Sequence, residues 1–430
     1  MNELPLKEAW ILTRAARSES LLAEAVHAVF SEHLPADRFL RRIFRRDRRI
    51  GGRDRRLYSD LLFAVFRWYG PLAKYSSGPA FLLAGAAAAE KIDDPAVAVF
   101  LKNAGLDPSR RDALFEAETA PERLNVFLRL AGMSGNVREA DCIPEWILPH
   151  LDFTPDAEFF HSQQTRPPLW LRIQNQTPED VIASLRANGL DPVPHPRLKQ
   201  ALALPEVKVN LPSLEAYKRG WIEVQDLSSQ CIGIACAPEP GQRWWDACAG
   251  GGGKSLLLAS LMLGKGSITA SDVRENKFEE IRQRAKRAGF SNIRTRLWNG
   301  GPELPVPENS CGGVLVDAPC SSSGRWRRNP ESRWTLTGER VDELAALQRR
   351  ILDSAANAVK PGGVLVYATC SLFREENRLN AELFLAAHPE FKPEEFPHPL
   401  TGEPVSGLLQ ILPQDGDCDA SFIARFRKKG

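Results

Sequence analysis

The stretch Trp244 to Ser255, WWDACAGGGGKS, decides how the rest of the chain is read. A short apolar run enters four consecutive glycines, and Leu256, Leu257, Leu258 and Ala259 follow. That order predicts a strand, a tight turn and a helix. Glycine suits such a turn because a residue without Cβ takes positive φ freely and lets a ligand approach the backbone. The helix beyond offers unpaired N–H groups to a polar ligand. Two nucleotide-binding patterns compete here. A phosphate-cradling P-loop needs G-x-x-x-x-G-K-[ST]; Gly253, Lys254 and Ser255 supply its end, but its first glycine falls on Cys248. A Rossmann-like unit needs a second strand and then an acid about 20 residues on, to hold ribose hydroxyls. Gly266 to Asp272 provides both, with the acid 24 positions after Cys248, so the Rossmann-like pattern is preferred.

At 430 residues the chain calls for two or three domains. Its 43% hydrophobic and 26% charged content is ordinary for a globular protein. No apolar run reaches the roughly 18 residues of a membrane span. MNELPLKEAW at the N-terminus lacks the basic, apolar, small-residue order of a signal peptide. Eight cysteines without a C-x-x-C pair point to reduced thiols and a cytoplasmic location. Cys231 and Cys236 are poorly spaced for zinc and no histidine cluster joins them, so no metal site is expected. The net charge of +2 is nearly neutral, but ten arginines lie between Arg38 and Arg56 against Asp47 and Asp54. Like charges at that density suggest an anionic partner such as nucleic acid.

Residues 1–145 carry apolar positions at helical spacing and read as an all-α domain. Within it Asp37 is placed to cap a helix carrying Phe39, Leu40, Ile43 and Phe44, Arg55 to Tyr69 forms another, and Leu101 to Leu130 gives more helix. Residues 150–220 read as a small α+β module. Leu169 to Ile173 is a strand, Thr177 starts a helix, and Leu202 to Leu204 and Val207 to Val209 are short strand candidates. From 221 to 430 strands and helices alternate, which predicts an α/β domain on a parallel sheet. No internal repeat is seen.

In an open α/β sheet, ligands bind beyond the carboxyl ends of the strands. The glycine turn, Asp272, Asn299, Asp317 to Cys320, and Thr369 to Ser371 all fall there. Two cysteines and an aspartate thus converge on the edge of a nucleoside site, and a thiolate is a strong nucleophile. Beyond Cys320 a Ser-, Gly- and Pro-containing loop carries Arg325, Trp326, Arg327, Arg328 and Trp334. Arginines interleaved with tryptophans offer phosphate contacts and stacking faces to single-stranded nucleic acid.

The blocks VQDLSSQ (224–230), DACAGGGGKS (246–255), DAPCSSSGRWRRNP (317–330) and ATCSLFREEN (368–377) resemble the signature blocks of the Sun/Nop-type RNA cytosine-5 methyltransferases. They resemble most the bacterial Sun (Fmu) branch acting on 16S ribosomal RNA. Residues 37–70 resemble the NusB-like domain of that branch, and 167–175 the short module before its methyltransferase domain. The resemblance implies a class I methyltransferase sheet that takes S-adenosylmethionine along Cys248, Ala249, Gly250, Gly251, Gly252, Gly253 and Lys254. Asp272 would hold the ribose, Asn299 would lie near the adenine, and Asp317 beside the reacting methyl and base. It implies Cys370 as nucleophile and Cys320 as the residue that helps release the product. Two positions depart from the family pattern: Gly250-Gly251 replace Ala-Pro, and Asn299 stands where an acid is common. The expected product is 5-methylcytosine in RNA, made by a monomer. The rivals are a tRNA cytosine-5 methyltransferase, a DNA cytosine-5 methyltransferase using the Pro-Cys cysteine, a P-loop ATPase, and a non-catalytic RNA-binding assembly factor.

Overall fold

The computed structural model describes residues 6–205 and 209–430. The N-terminal MNELP and most of the expected run Val207 to Val209 lie outside the described residues. The chain forms two compact units. One comprises Met1–Pro149, Pro155–Thr165 and Trp326–Leu336; the other comprises His150–Thr154, Arg166–Arg325 and Thr337–Gly430. The small α+β module therefore shares a unit with the α/β sheet, and one segment of the 221–430 region belongs to the helical unit.

The helical unit is built from Leu6–Phe30, Ala36–Arg46, Gly52–Arg67, Tyr69–Ala73, Pro79–Ala89, Ala96–Asn103 and Ala120–Leu130. Pro79–Ala89 is apolar all round, and Ala80 to Ala89 are all buried, as a central helix requires. The expected helix from Leu101 to Leu130 is interrupted. It stops at Asn103, Gly105 turns with φ +78°, and helix resumes at Ala120 under a Thr119–Glu122 capping box. Asp37 does not cap its helix. It lies in the first turn after Pro35, and the free N–H of Ala36 donates instead to Glu331 Oε1 at 3.0 Å.

In the second unit, β1 (Leu169–Ile173), β2 (Val193–Pro194), β3 (Ala201–Leu204) and β4 (Ile222–Val224) form an antiparallel sheet in the order β2-β3-β1-β4. Thr177 caps the helix Pro178–Arg186 as its sequence predicts. Buried Glu223 on β4 accepts from Arg284 Nη2 at 3.0 Å and from Arg287, both on the helix Phe278–Arg287. These ion pairs join the small sheet to the large one.

The large sheet contains β5 (Arg243–Asp246), β6 (Ser267–Asp272), β7 (Ile293–Leu297), β8 (Cys311–Asp317) and β9 (Val359–Thr369), all parallel. After β10 (Phe391–Pro393) and the β11–β12 pair (Phe396–Pro397, Pro404–Val405) come β13 (Leu408–Ile411) and β14 (Ser421–Lys428). The order is β10-β14-β9-β8-β5-β6-β7. The expectation of a parallel sheet needs correcting at this end, because β14 runs antiparallel to β9, β10 and β13. The link from β13 to β14 is too short for the crossover that a parallel pair demands. Alternate residues face opposite layers. Trp244, Leu315 and Val366 pack with Leu256 and Leu258, whereas Trp245, Val314, Val316 and Leu365 pack with Ile351 and Leu352. Gly313 is required there, since a Cβ would stand 2.2 Å from the Trp244 ring. Strand order reverses at β5, so the crevice of this Rossmann-like sheet opens at the glycine turn.

Candidate active site

The chain leaves β5 through Ala247 and enters the helix Gly253–Leu261 at its glycines. Gly250 (φ +54°) and Gly252 (φ +81°) take the left-handed backbone that the sequence predicts. The Gly250 N–H donates to Asp272 Oδ2 at 3.0 Å, and the Ala249 N–H to Ser271 O at 2.8 Å, so the turn is fastened to the end of β6. Asp272 is only 6% exposed. Burial pushes its carboxyl up, but hydrogen bonds from Arg274 and Gly250 outweigh that and hold it below the usual range. Lys254 Nζ donates to Asp317 Oδ2 at 2.6 Å, tying the start of the helix to the end of β8. Burial pulls the Lys254 ammonium down, and Asp317 more than restores it. Beneath them Asp246 accepts from Ser255 Oγ at 2.6 Å, and burial pushes its carboxyl up to about 7.

Cys248, Ala249, Gly250, Gly251, Gly252, Gly253, Lys254, Asp272 and Asp317 thus line one edge, as the sequence predicts. Gly251 O accepts from Arg284 Nη1 at 2.5 Å. Asn299 follows β7 at the same edge and is exposed; its Oδ1 accepts from the Gly301 N–H at 2.9 Å.

Parallel neighbours β8 and β9 end side by side, with Asp317 opposite Ala368, and each leads into a cysteine. Cys320 Sγ and Cys370 Sγ are 3.3 Å apart, and both are free thiols. They differ from the other six and from each other. Cys142, Cys231, Cys236, Cys248, Cys311 and Cys418 are all raised by burial. Cys320 is raised well above its ordinary value, first by the hydrogen bond it shares with Cys370 and then by burial. Cys370 alone is lowered; the hydrogen bond from Cys320 outweighs burial and Asp317, with help from Ser322 and Arg325. Within the pair, deprotonation is therefore favoured at Cys370 over Cys320. Ser322, 3.6 Å from Cys370 Sγ, holds φ +58°, an unfavourable backbone for a residue with a side chain. Gly324 brings the two loops together. Its N–H donates to Cys370 O at 2.9 Å, and a Cβ there would lie 2.3 Å from Ala420 O.

The sequence reading missed the polar residues that hold these loops. Ser321, Ser323, Ser371, Gln348 and Glu376 form a connected network behind the thiols. The serine run after Cys320 and the buried acid in LFREEN were the available signals.

The basic loop after Cys320 needs a larger correction. Trp326 is fully buried in the helical unit, and Arg327 is 2% exposed and donates to Thr165 O and Oγ1 at 3.1 and 2.9 Å. Trp334 Nε1 donates to Phe66 O at 2.6 Å, and its ring lies 6.2 Å from that of Tyr69. Trp326 and Arg327 offer no free face to a base or a phosphate, and half-buried Trp334 has its indole N–H already committed, because an indole beside an apolar helical core gains more by burial than by waiting for a ligand. Arg325 is exposed and Arg328 is half-buried.

The family described as 16S rRNA methyltransferase RsmB/F matches residues 233–427, the span holding the glycine turn and both cysteines. A ribosomal RNA small subunit methyltransferase B from Salmonella newport strain SL254 is 32% identical over 291 residues. The chain belongs to the RsmB/F methyltransferase family. The Salmonella match spans 66% of this chain and 66% of that relative, so about two thirds of the relative's length is covered. The crystal structure of PH0851 superposes over 99% of this chain and 100% of its own, with TM-score 0.75 and 26% identity. A crystal structure of NSun6 from Pyrococcus horikoshii with SFG shares the fold, with TM-score 0.55 and 20% identity over 64% of this chain and 94% of that one.

Proposed function

We propose that this protein methylates carbon 5 of a cytosine in RNA, that its substrate is small-subunit 16S ribosomal RNA, and that S-adenosylmethionine is the methyl donor. The observation that carries the chemistry is the pair of free thiols 3.3 Å apart, of which Cys370 alone among the eight cysteines is lowered from its ordinary value. The residues at the sheet edge suit the donor. A left-handed glycine turn admits a ligand to the backbone, buried Asp272 stands at the end of β6 for ribose hydroxyls, and the carboxylates Asp272 and Asp317 suit a cationic ligand. S-adenosylmethionine would supply an electrophilic methyl group at this edge.

The protein's own groups do the rest. The target base is unstacked into the pocket. Cys370 Sγ adds to carbon 6 of cytosine, which removes the aromatic 5,6 double bond and makes carbon 5 enamine-like and nucleophilic. After methylation, a base in the pocket or a water takes the proton from carbon 5, the C–H electron pair re-forms the double bond, and Cys370 leaves as thiolate. Cys320, 3.3 Å from that sulfur, assists the release. A DNA-type mechanism would need Cys320 as nucleophile, and its raised thiol argues against that. The substrate assignment rests on family membership.

The test is labelled methyl transfer to protein-free 16S rRNA, with tRNA in parallel. Label in 5-methylcytosine of rRNA is expected; label in tRNA alone would overturn the substrate. Cys370→Ala is expected to lower transfer by roughly 10⁴-fold or more, the scale on which removing a nucleophile acts. Cys320→Ala is expected to accumulate a covalent protein–RNA band. A fully active Cys370→Ala variant would sink the mechanism, and RNA binding without transfer by the wild type would favour an assembly factor.

A further inference from the structure

Glu376 lies six positions after Cys370 and is completely buried. The four hydrogen bonds to its carboxylate all come from neutral groups. Oε1 accepts from the Ser321 N–H at 2.8 Å and from Gln348 Nε2 at 2.8 Å. Oε2 accepts from Ser321 Oγ and Ser371 Oγ, each at 2.5 Å. Ser321 is the residue after Cys320, and Ser371 is the residue after Cys370. One carboxylate therefore grips the chain immediately beyond each thiol. Gln348 Nε2 also donates to Pro319 O at 2.9 Å, so the residue before Cys320 is held as well.

We propose that Glu376 is a positioning residue that fixes the Cys320 and Cys370 loops at their working separation. This inference rests on the thiol-pair reading above. A buried carboxylate is costly unless donors surround it, so its presence at this point asks for a reason. Only a carboxylate offers acceptors to all four donors at once. A glutamine would turn its NH₂ toward one pair of hydroxyls and force them to reverse. Each hydroxyl already accepts one backbone N–H, Ser371 Oγ from Phe373 at 3.0 Å and Ser321 Oγ from Ser323 at 3.4 Å, so accepting a second would fill its lone pairs and leave its own proton to find another acceptor. The charge also acts on the sulfurs, since Glu376 is among the groups that raise Cys320, which favours deprotonation at Cys370 instead. Beside Cys320 itself, the charged groups that face Cys370 are Asp317 at the end of β8, Lys254 on the helix Gly253–Leu261 and Arg325 in the loop, and none of them grips both loops.

The experiment compares wild type, Glu376→Gln and Glu376→Asp in the full chain. It reads kcat and KM for methyl transfer to rRNA, and the pH dependence of iodoacetamide alkylation at Cys320 and Cys370, resolved by mass spectrometry. For Glu376→Gln, kcat is expected to fall about 10²-fold, as for a misplacement near 1 Å, with KM for RNA little changed. The Cys370 alkylation midpoint should move to higher pH, and Cys320 should become alkylated alongside it. Glu376→Asp keeps the charge and shortens the reach, and should give a smaller shift in both. If Glu376→Gln does not fold, Ser321→Ala and Ser371→Ala each remove one grip and should each raise the Cys370 midpoint. Wild-type kcat, or an unchanged alkylation profile in these variants, would overturn the proposal. Failure of the nucleophile reading is separate: it would appear as an active Cys370→Ala variant, while alkylation still reports whether Glu376 sets the pair.

Discussion

Two arginine-rich stretches of the helical unit read alike in sequence and fold in opposite ways. Arg38 to Arg56 spreads along the helix Ala36–Arg46 and into the next, and Arg38, Arg41, Arg42, Arg45, Arg46, Arg48, Arg49, Arg53 and Arg56 are exposed. Arg17, Arg45, Arg46, Arg48 and Arg49 line an open hollow of about 630 Å³ with Asp47 as its one acid. The segment Trp326–Leu336 instead turns its arginines inward. Arg333 is fully buried and donates to Cys142 O at 3.0 Å and to Gln163 O at 3.2 Å. Burial pulls its guanidinium down to about 10. The difference lies in what accompanies the charge. In the first stretch a helix with one apolar face leaves the arginines on the other. In the second, two tryptophans and a proline accompany them, and the chain uses guanidinium groups to satisfy orphan carbonyls where the indoles go in.

The largest effect that would break this contrast belongs to Trp326. If its indole is a core residue, Trp326→Ala should destabilise the helical unit by roughly 3–5 kcal/mol, seen as a lowered Tm. A variant of normal Tm that loses RNA affinity would restore the stacking role. Next comes the exposed stretch. Arg45 and Arg48 stand without the carboxylate partners that Arg46 and Arg49 find in Glu24 and Asp47 among the described residues. Arg45→Glu with Arg48→Glu should leave Tm nearly unchanged. It should flatten the slope of log affinity for rRNA against log salt by about 1.5, the loss of two phosphate contacts. An unchanged slope would assign the hollow to some other partner.

Why one stretch is legible in sequence and the other is not follows from the range of the forces involved. Local sequence carries turn chemistry and apolar runs, so the glycine turn, Asp272 and the paired cysteines at neighbouring strand ends can be placed from residue order alone. The N-terminal helices are legible for the same reason, apart from the break at Gly105. What escapes depends on partners far along the chain. The antiparallel pairing of β14 with β9 joins residues at least 53 positions apart, the anchoring of Trp326 needs a core some 160 or more residues earlier in the sequence, and the grip of Glu376 reaches Ser321 in another loop. Arginine beside tryptophan is ambiguous in sequence, because the same pair serves a nucleic acid or a protein core. Burial alone separates the two uses.

The smallest effect ties the two stretches together. Asp37 lies inside the first turn of the helix Ala36–Arg46, past the N-cap position, and the free Ala36 N–H is met instead by Glu331, in the buried stretch and 295 residues away. A cap of this kind contributes about 1 kcal/mol. Glu331→Ala should therefore lower stability by about that amount, with some addition for the vacated volume. Glu331→Gln keeps an oxygen for the Ala36 N–H and should cost less, because burial already pushes the Glu331 carboxyl up and the neutral side chain removes that penalty. The consequence for the exposed arginines is the sharper readout. With the first turn of their helix released, hydrogen exchange at Phe39 and Leu40 should quicken in Glu331→Ala and stay slow in Glu331→Gln. Equal protection in both variants would mean that the helix holds its first turn unaided, and that the buried stretch anchors itself without supporting the exposed one.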